Sequence, residues 1–185
     1  MLHGTRIVLR ARKESDVAIL DAQLMSNVET YSRARGGAWR PLPLGGASEF
    51  ANREPNDHVA HFTIADRSTD EVLGATLLWQ IDLHNRSAHI GLTLLPAARG
   101  QGLGTEALWV LCRYGFMTLG LHRLQLETLT DNEAMRGAAL AAGFSFEGTL
   151  RESAWVDGSF LDDVVYGQLA GEWIARGEAR PAPNG

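Results

Sequence analysis

Arg99-Gly100-Gln101-Gly102-Leu103-Gly104-Thr105 decides the reading of this chain. It follows the apolar run Ile90-Gly91-Leu92-Thr93-Leu94-Leu95-Pro96 and opens a helix near Thr105. Three alternating glycines between a strand and a helix make an anion-binding device. Successive backbone N–H groups can curl round a phosphate because no Cβ obstructs the approach, and the unpaired N–H groups of the first helical turn face the same point. A P-loop is excluded: Lys-Ser or Lys-Thr would follow its last glycine, and Thr105-Glu106 stands there. A dinucleotide loop is excluded as well. Glycines at 100, 102 and 104 bring the third one residue early for G-x-G-x-x-G.

The flanks supply the context that a phosphate loop needs. Leu108, Leu111, Cys112, Gly115, Phe116 and Leu119 recur at helical spacing, and Gly120 ends that helix. Residues 122–129 alternate as a strand does. Thr130-Asp131-Asn132 then gives turn and cap residues for a second helix over about 133–142, closed by Gly143-Phe144. Upstream, Arg6-Ile7-Val8-Leu9-Arg10 reads as a strand and Ser15-Asp16 as the cap of a first helix carrying Val17, Ile19, Leu20, Leu24 and Met25. Residues 36–57 are rich in breakers, with a short helix expected around 48–53. Residues 61–65, 72–81 and 88–95 read as three antiparallel strands joined by turns at 67–70 and 82–85, and 147–155 with 160–169 as a hairpin across Asp157-Gly158. The fold class is α/β, with strands and helices alternating along one chain.

Composition sets bounds. The 185 residues suit one domain, over 1–176, followed by a disordered tail at 177–185. A formal charge of −5 argues against a nonspecific nucleic-acid binder and suits a cationic substrate. No apolar run reaches membrane-spanning length and no secretory signal opens the chain, so a cytoplasmic protein is expected. The single cysteine, Cys112, falls on the apolar stripe of a helix and reads as a core residue.

The segment Arg99 to Gly104 fits the pattern Arg/Gln-x-x-Gly-x-Gly/Ala. With Ile90-Gly91, Leu95-Pro96, Thr105-Glu106-Ala107, Asn132, Gly143-Phe144, Glu147-Gly148-Thr149-Leu150-Arg151, Asp157-Gly158, Asp162 and Tyr166, it resembles the GNAT superfamily of N-acetyltransferases, in its RimJ/RimL-type branch. The likeness runs from Arg86 to Trp173 and includes the first strand and helix; the stretch 30–57 has no recognisable counterpart. The resemblance implies a mostly antiparallel sheet in which two parallel strands, here 88–95 and 122–129, splay apart beside acetyl-CoA. Backbone around Leu92, Thr93 and Leu94 would pair with the pantetheine arm. The loop from Arg99 through Gly100, Gln101, Gly102, Leu103 and Gly104 to Thr105 would hold the pyrophosphate. Asn132 stands where relatives contact pantetheine, and suits a helix N-cap equally. Family likeness and the apolar residues Trp155, Phe160, Val164 and Val165 imply a homodimer.

The implied activity is acetyl transfer from acetyl-CoA to a primary amine, on a protein N-terminus or a small molecule. The alternative is a non-catalytic acyl-CoA-binding protein on the same fold. Transfer needs a base to take a proton from the ammonium. Many relatives carry glutamate just before the Ile-Gly of the strand; this chain has His89, whose imidazole titrates near neutrality. Glu127, at the end of the other splayed strand, is the second candidate. Relatives often protonate the leaving thiolate with a serine or tyrosine, at positions that hold Met135 and Ala139 here, so no acid is assigned. Trp39 and Trp155 are the candidates for lining an acceptor pocket, while Trp79, Trp109 and Trp173 read as core or interface. His58-x-x-His61 lacks further ligands, and Asp162-Asp163 point to opposite faces of a strand; neither suggests a metal or an acid–base pair.

Overall fold

The computed structural model describes residues 1–26, 28–35, 38–41, 48–52 and 54–177. The chain runs β1 (Leu2–His3), β2 (Ile7–Arg10), α1 (Glu14–Leu20), α2 (Val28–Arg35), β3 (Ala60–Asp66), β4 (Val72–Asp82), β5 (Ser87–Leu94), α3 (Leu103–Arg113), β6 (Arg123–Leu129), α4 (Glu133–Ala142), β7 (Ser145–Val156), β8 (Ser159–Leu169) and α5 (Ala170–Ala175). The strands form one sheet in the order β1-β2-β3-β4-β5-β6-β8-β7. Every neighbouring pair is antiparallel except β5 and β6.

That exception shapes the molecule. β5 and β6 pair only at Ser87↔Arg123, Ala88↔Leu124 and His89↔Gln125. Beyond His89, β5 stays with β4 as far as Gly74↔Leu94, and β6 stays with β8 as far as Leu129↔Asp163. Each strand keeps its outer partner and loses its inner one, so a cleft opens between them. The expected splay is present.

Helices pack on both faces of the sheet. α3, α4 and Trp173 of α5 pack on one face, burying Leu108, Leu111, Leu124, Leu126 and Tyr166. Each fully buried leucine contributes about 1.5–3 kcal/mol. Cys112 is fully buried in this layer, and burial pushes its thiol up, away from the thiolate. α1 and the π-helical turn after it cover the other face over β3 and β4 with Leu20, Leu24 and Met25. Among the described residues, no such helix packs an apolar cluster on the corresponding face of β6, where Arg123 and Gln125 are half-buried and Glu127 is exposed.

Under α1 lies a buried ion pair. Arg10 donates through Nη1 to Asp16 Oδ2 at 2.6 Å and through Nη2 to Oδ1 at 3.1 Å, while its Nε donates to Asp70 Oδ1 at 2.6 Å. Asp16 also accepts from Lys13 N at 2.8 Å and Thr63 Oγ1 at 3.0 Å. Burial pushes the Asp16 carboxyl up, but the Arg10 guanidinium, the Lys13 N–H and the Thr63 hydroxyl together hold it below the usual carboxylate range. Its stabilisation is therefore complete above the unfolded carboxylate value of about 3.9 and is lost as pH falls below that. Asp16→Ala is expected to cost about 3 kcal/mol at pH 7, the low end for breaking a buried pair because Asp70 still holds Arg10. Urea denaturation would show that gap at neutral pH and a smaller one near pH 3.

Some local expectations are corrected. The N-cap of α1 is Lys13, and Asp16 sits inside the first turn, accepting the Lys13 N–H rather than capping from outside. Residues 48–52 make a turn and no helix, closed by Ala51 N to Ser48 O at 3.1 Å, and Arg53 lies outside the described residues. β1, α2 and α5 are elements that the residue pattern did not announce. All but the first residue of the expected tail, 178–185, also lies outside the described residues. The remaining elements match in type, with the β7–β8 turn at Asp157 (φ 47°) and Gly158 (φ 81°) as its sequence demands.

Candidate active site

The glycine loop sits at the end of β5, where the cleft opens. Gly100 and Gly102 adopt φ values of 74° and 72°, a left-handed backbone that favours glycine, and Gly102 is the N-cap of α3. Gly104 differs. A Cβ there would meet only Leu94 Cδ1 at 3.8 Å and Leu92 Cδ2 at 3.9 Å, an ordinary contact. Packing therefore does not require glycine at 104.

The loop is braced from behind. Arg6 donates through Nη1 to Gln101 O at 2.8 Å, Arg99 through Nε to Leu94 O at 3.1 Å, and Gln101 through Nε2 to Ala97 O at 2.8 Å. The buried Glu106 carboxylate accepts the backbone N–H groups of Thr5 and Arg6, tying the β1–β2 turn to the start of α3. The side chains of Arg99 and Gln101 hold the loop's shape, leaving the first-turn N–H groups of α3 for a ligand. Asn132 caps α4: its Oδ1 accepts from Met135 N at 3.2 Å, and its Nδ2 donates to Thr128 Oγ1 at 3.0 Å. Of the two roles open to it, the structure realises the N-cap.

At the inner end of the cleft, two of the sequence candidates come together. His89 Nδ1 lies 3.9 Å from Glu127 Oε1, within ion-pair reach when the imidazole is protonated. Both point to the face left uncovered over β6, because His89 pairs with Gln125 and side chains two apart along β6 share a face. They are partly exposed, at 27% and 38% of their side-chain surface, so a substrate can reach them.

Three residues of this site escaped the sequence reading. Trp79, expected in the core or an interface, is 38% exposed and stacks on His89 with ring centroids 4.8 Å apart. Gln125 Nε2 donates to Glu127 Oε1 at 2.9 Å, and Arg123 Nη2 donates to Gln125 Oε1 at 2.9 Å. The alternation of Arg123, Gln125 and Glu127 along β6 was a visible signal, since three polar side chains on one strand face must either meet water or each other.

Trp39 and Trp155 take other contacts. Trp39 Nε1 donates to Met25 O at 2.8 Å. Trp155 packs edge-on against Phe160 at the tip of the β7–β8 hairpin. By register Phe160 lies five residues from Val165, the partner of Glu127, or about 17 Å along the strand. Met135 is half-buried and Ala139 fully buried, so α4 presents no proton donor at either position. Among the described residues, no three His, Cys, Asp or Glu side chains gather as a metal site.

A family model described as an acetyltransferase (GNAT) domain matches residues 6–145. The chain belongs to this GNAT family. The match also takes in the stretch 30–57 that had no recognisable counterpart. An uncharacterized N-acetyltransferase of Bacillus subtilis, YoaA, is 34% identical over 103 residues, 56% of this chain and 58% of that protein. The ribosomal-protein-serine acetyltransferase of Escherichia coli is 28% identical over 100 residues, 54% of this chain and 56% of that one. The match thus spans less than two thirds of either relative. A solved structure of spermidine N-acetyltransferase from Vibrio cholerae, in complex with CoA and spermine, superposes with a TM-score of 0.81 at 20% identity, covering 92% of this chain and 99% of that one. This last likeness is one of fold. The splayed GNAT sheet, the glycine loop and the His89–Glu127 pair therefore occur together in one member of the family.

Proposed function

We propose that this chain transfers an acetyl group from acetyl-CoA to a primary amine, by direct attack within a ternary complex. The observation that carries the reading is the His89–Glu127 pair at the point where β5 and β6 part, with the glycine loop at the far end of β5. Pyrophosphate would rest on the N–H groups from Gly100 to Thr105. The pantetheine arm would add to the free edge of β5 at Leu92 and Thr93; the Leu94 carbonyl is already taken by Arg99. Asn132 could add a contact to that arm through its remaining hydrogen-bonding capacity.

The amine would enter from the uncovered face, over Trp79. His89 takes a proton from the ammonium, and the neutral nitrogen attacks the thioester carbonyl. The N–C bond forms, the C–S bond breaks, the nitrogen releases its second proton to solvent, and solvent protonates the thiolate, because neither Met135 nor Ala139 can. Glu127, beside Nδ1, stabilises the imidazolium that forms on His89.

Purified protein, acetyl-CoA and an amine panel holding spermidine and a peptide with an N-terminal serine test the proposal by thiol release. Acceptor-dependent release supports it. Acetyl-CoA binding without release over the whole panel would favour the acyl-CoA-binding alternative.

A homodimer belongs to the same proposal. β7 is an outer strand of the sheet, and Phe146, Leu150, Trp155 and Phe160 on the hairpin are each more than 40% exposed. Light scattering at micromolar protein should give twice the chain mass; a monomer mass would contradict it.

A further inference from the structure

We infer that Gln125 is a positioning residue for the reaction, holding Glu127 beside His89 through a side-chain chain that begins on the opposite edge of the sheet. The inference rests on the acetyltransferase reading above and adds residues to its site.

The chain starts at an irregularity. β7 and β8 change register between Phe146 and Gly148, so Glu147 is the extra residue of a bulge. Its carboxylate lies over Gly167 of β8, where an added Cβ would come within 2.3 Å of Oε1. Glycine at 167 leaves the path across β8 open. Along that path Glu147 reaches β6 and accepts from Arg123 through both oxygens, with Nη1 to Oε1 at 2.7 Å. The Arg123 guanidinium holds the Glu147 carboxyl below its ordinary range, as a fixed anion.

The fixed guanidinium then sets the next residue. Gln125 turns its oxygen to Arg123 and, because an amide has a donor only on its other arm, its nitrogen to Glu127. The polarity cannot reverse without placing N–H groups against a cation and an oxygen against a carboxylate. Glu127 is thereby held by Oε1, the atom nearest His89 Nδ1. Among the described residues, the groups facing Glu127 are His89 from β5, Gln125 and Arg123 from its own strand, and Val165, Gly167 and the Asp163 carboxylate, which accepts from Ser153 Oγ, from β8. Without Gln125, an exposed glutamate would sample several rotamers, and its effect on the imidazolium would fall with each turn away.

The test compares Gln125→Leu and the isosteric Gln125→Glu, which keeps the Arg123 contact and loses the donor, with Glu127→Gln and the Gln125→Leu/Glu127→Gln pair. Turnover is read with the best amine of the panel. Either Gln125 variant should lower kcat about tenfold and leave acetyl-CoA affinity within about twofold, since positioning acts on the transition state. The pair should be no slower than Glu127→Gln alone, as for two residues acting in series. A spectrum of the Gln125 side-chain amide adds an arm without turnover: its two proton resonances should be well separated in the wild type and draw together in Glu127→Ala. Gln125 variants with wild-type kcat, or losses that simply add, overturn the positioning role while leaving the transferase reading intact. Unchanged amide resonances do the same. A wild type that binds acetyl-CoA and releases no thiol overturns both.

Discussion

Gly104→Val is expected to weaken acetyl-CoA binding by roughly 100-fold or more, about 2.7 kcal/mol, while the protein stays folded. The reasoning turns on a contrast between the glycines of the loop. Gly100 and Gly102 hold left-handed backbone, so any substitution there strains the fold and confuses a loss of binding with a loss of structure. Gly104 has no such backbone, and a Cβ finds ordinary contacts with Leu92 and Leu94. In the absence of ligand, valine at 104 carries no helix-propensity cost, because glycine is the poorer helix former by roughly a few tenths of a kcal/mol. What valine does obstruct is the approach of a phosphate to the first-turn N–H groups. Gly104→Ala, with one carbon instead of three, should bind acetyl-CoA with a much smaller loss. Titration calorimetry on the three proteins decides the matter, with thermal melting as the control for folding. Equal affinities in wild type and Gly104→Val would sink the phosphate-loop assignment.

The same contrast explains what the sequence could and could not disclose. Glycine and periodicity are local signals, so the loop, α3, β6, α4 and the meander from β3 to β5 were readable from the chain alone. α2 was not. Val28 is half-exposed and Tyr31 is one of the few side chains the helix tucks against the core, so no apolar stripe marks it. α5 follows β8 without a break, and its Glu172 reaches back to the Leu169 N–H at 2.9 Å, a cap that a strand pattern hides. His89 and Glu127 were legible as candidates because each ends up near the splay that the family likeness implies.

Their neighbours depend on register, which is a property of pairs of strands. Trp79 reaches His89 because β4 and β5 pair at that position, just before an irregularity between Trp79 and Asp82. Glu147 reaches Arg123 only because a bulge in β7 and a missing side chain at 167 coincide. Such a coincidence between positions twenty residues apart leaves no pattern in either. Trp39 donates to Met25 O and Trp155 packs on Phe160, contacts that neither the breakers around the one nor the turn beside the other announce.

His89→Gln should lower turnover by about 100-fold, within the range for loss of a general base, and leave acetyl-CoA affinity unchanged. The two effects separate because His89 lies on the uncovered face at the inner end of the cleft, whereas the loop that would bind pyrophosphate begins ten residues further on, at Arg99, past the end of β5. Glutamine keeps the size and a polar tip, so the packing on Trp79 survives and the lost function is proton acceptance. The rate of the wild type should fall at acidic pH, where the base is protonated, and His89→Gln should flatten that fall. Glu127→Gln should behave differently. It leaves the base in place and removes the anion 3.9 Å from Nδ1, so the pH dependence is kept and the loss is nearer tenfold. If the order is inverted, with Glu127→Gln flattening the profile and His89→Gln nearly harmless, the carboxylate is the base and the imidazole its neighbour. A His89→Gln protein that turns over a genuine acceptor at the wild-type rate would remove the histidine from the mechanism, because no rearrangement of Glu127 could then be said to compensate without shifting the pH profile as well.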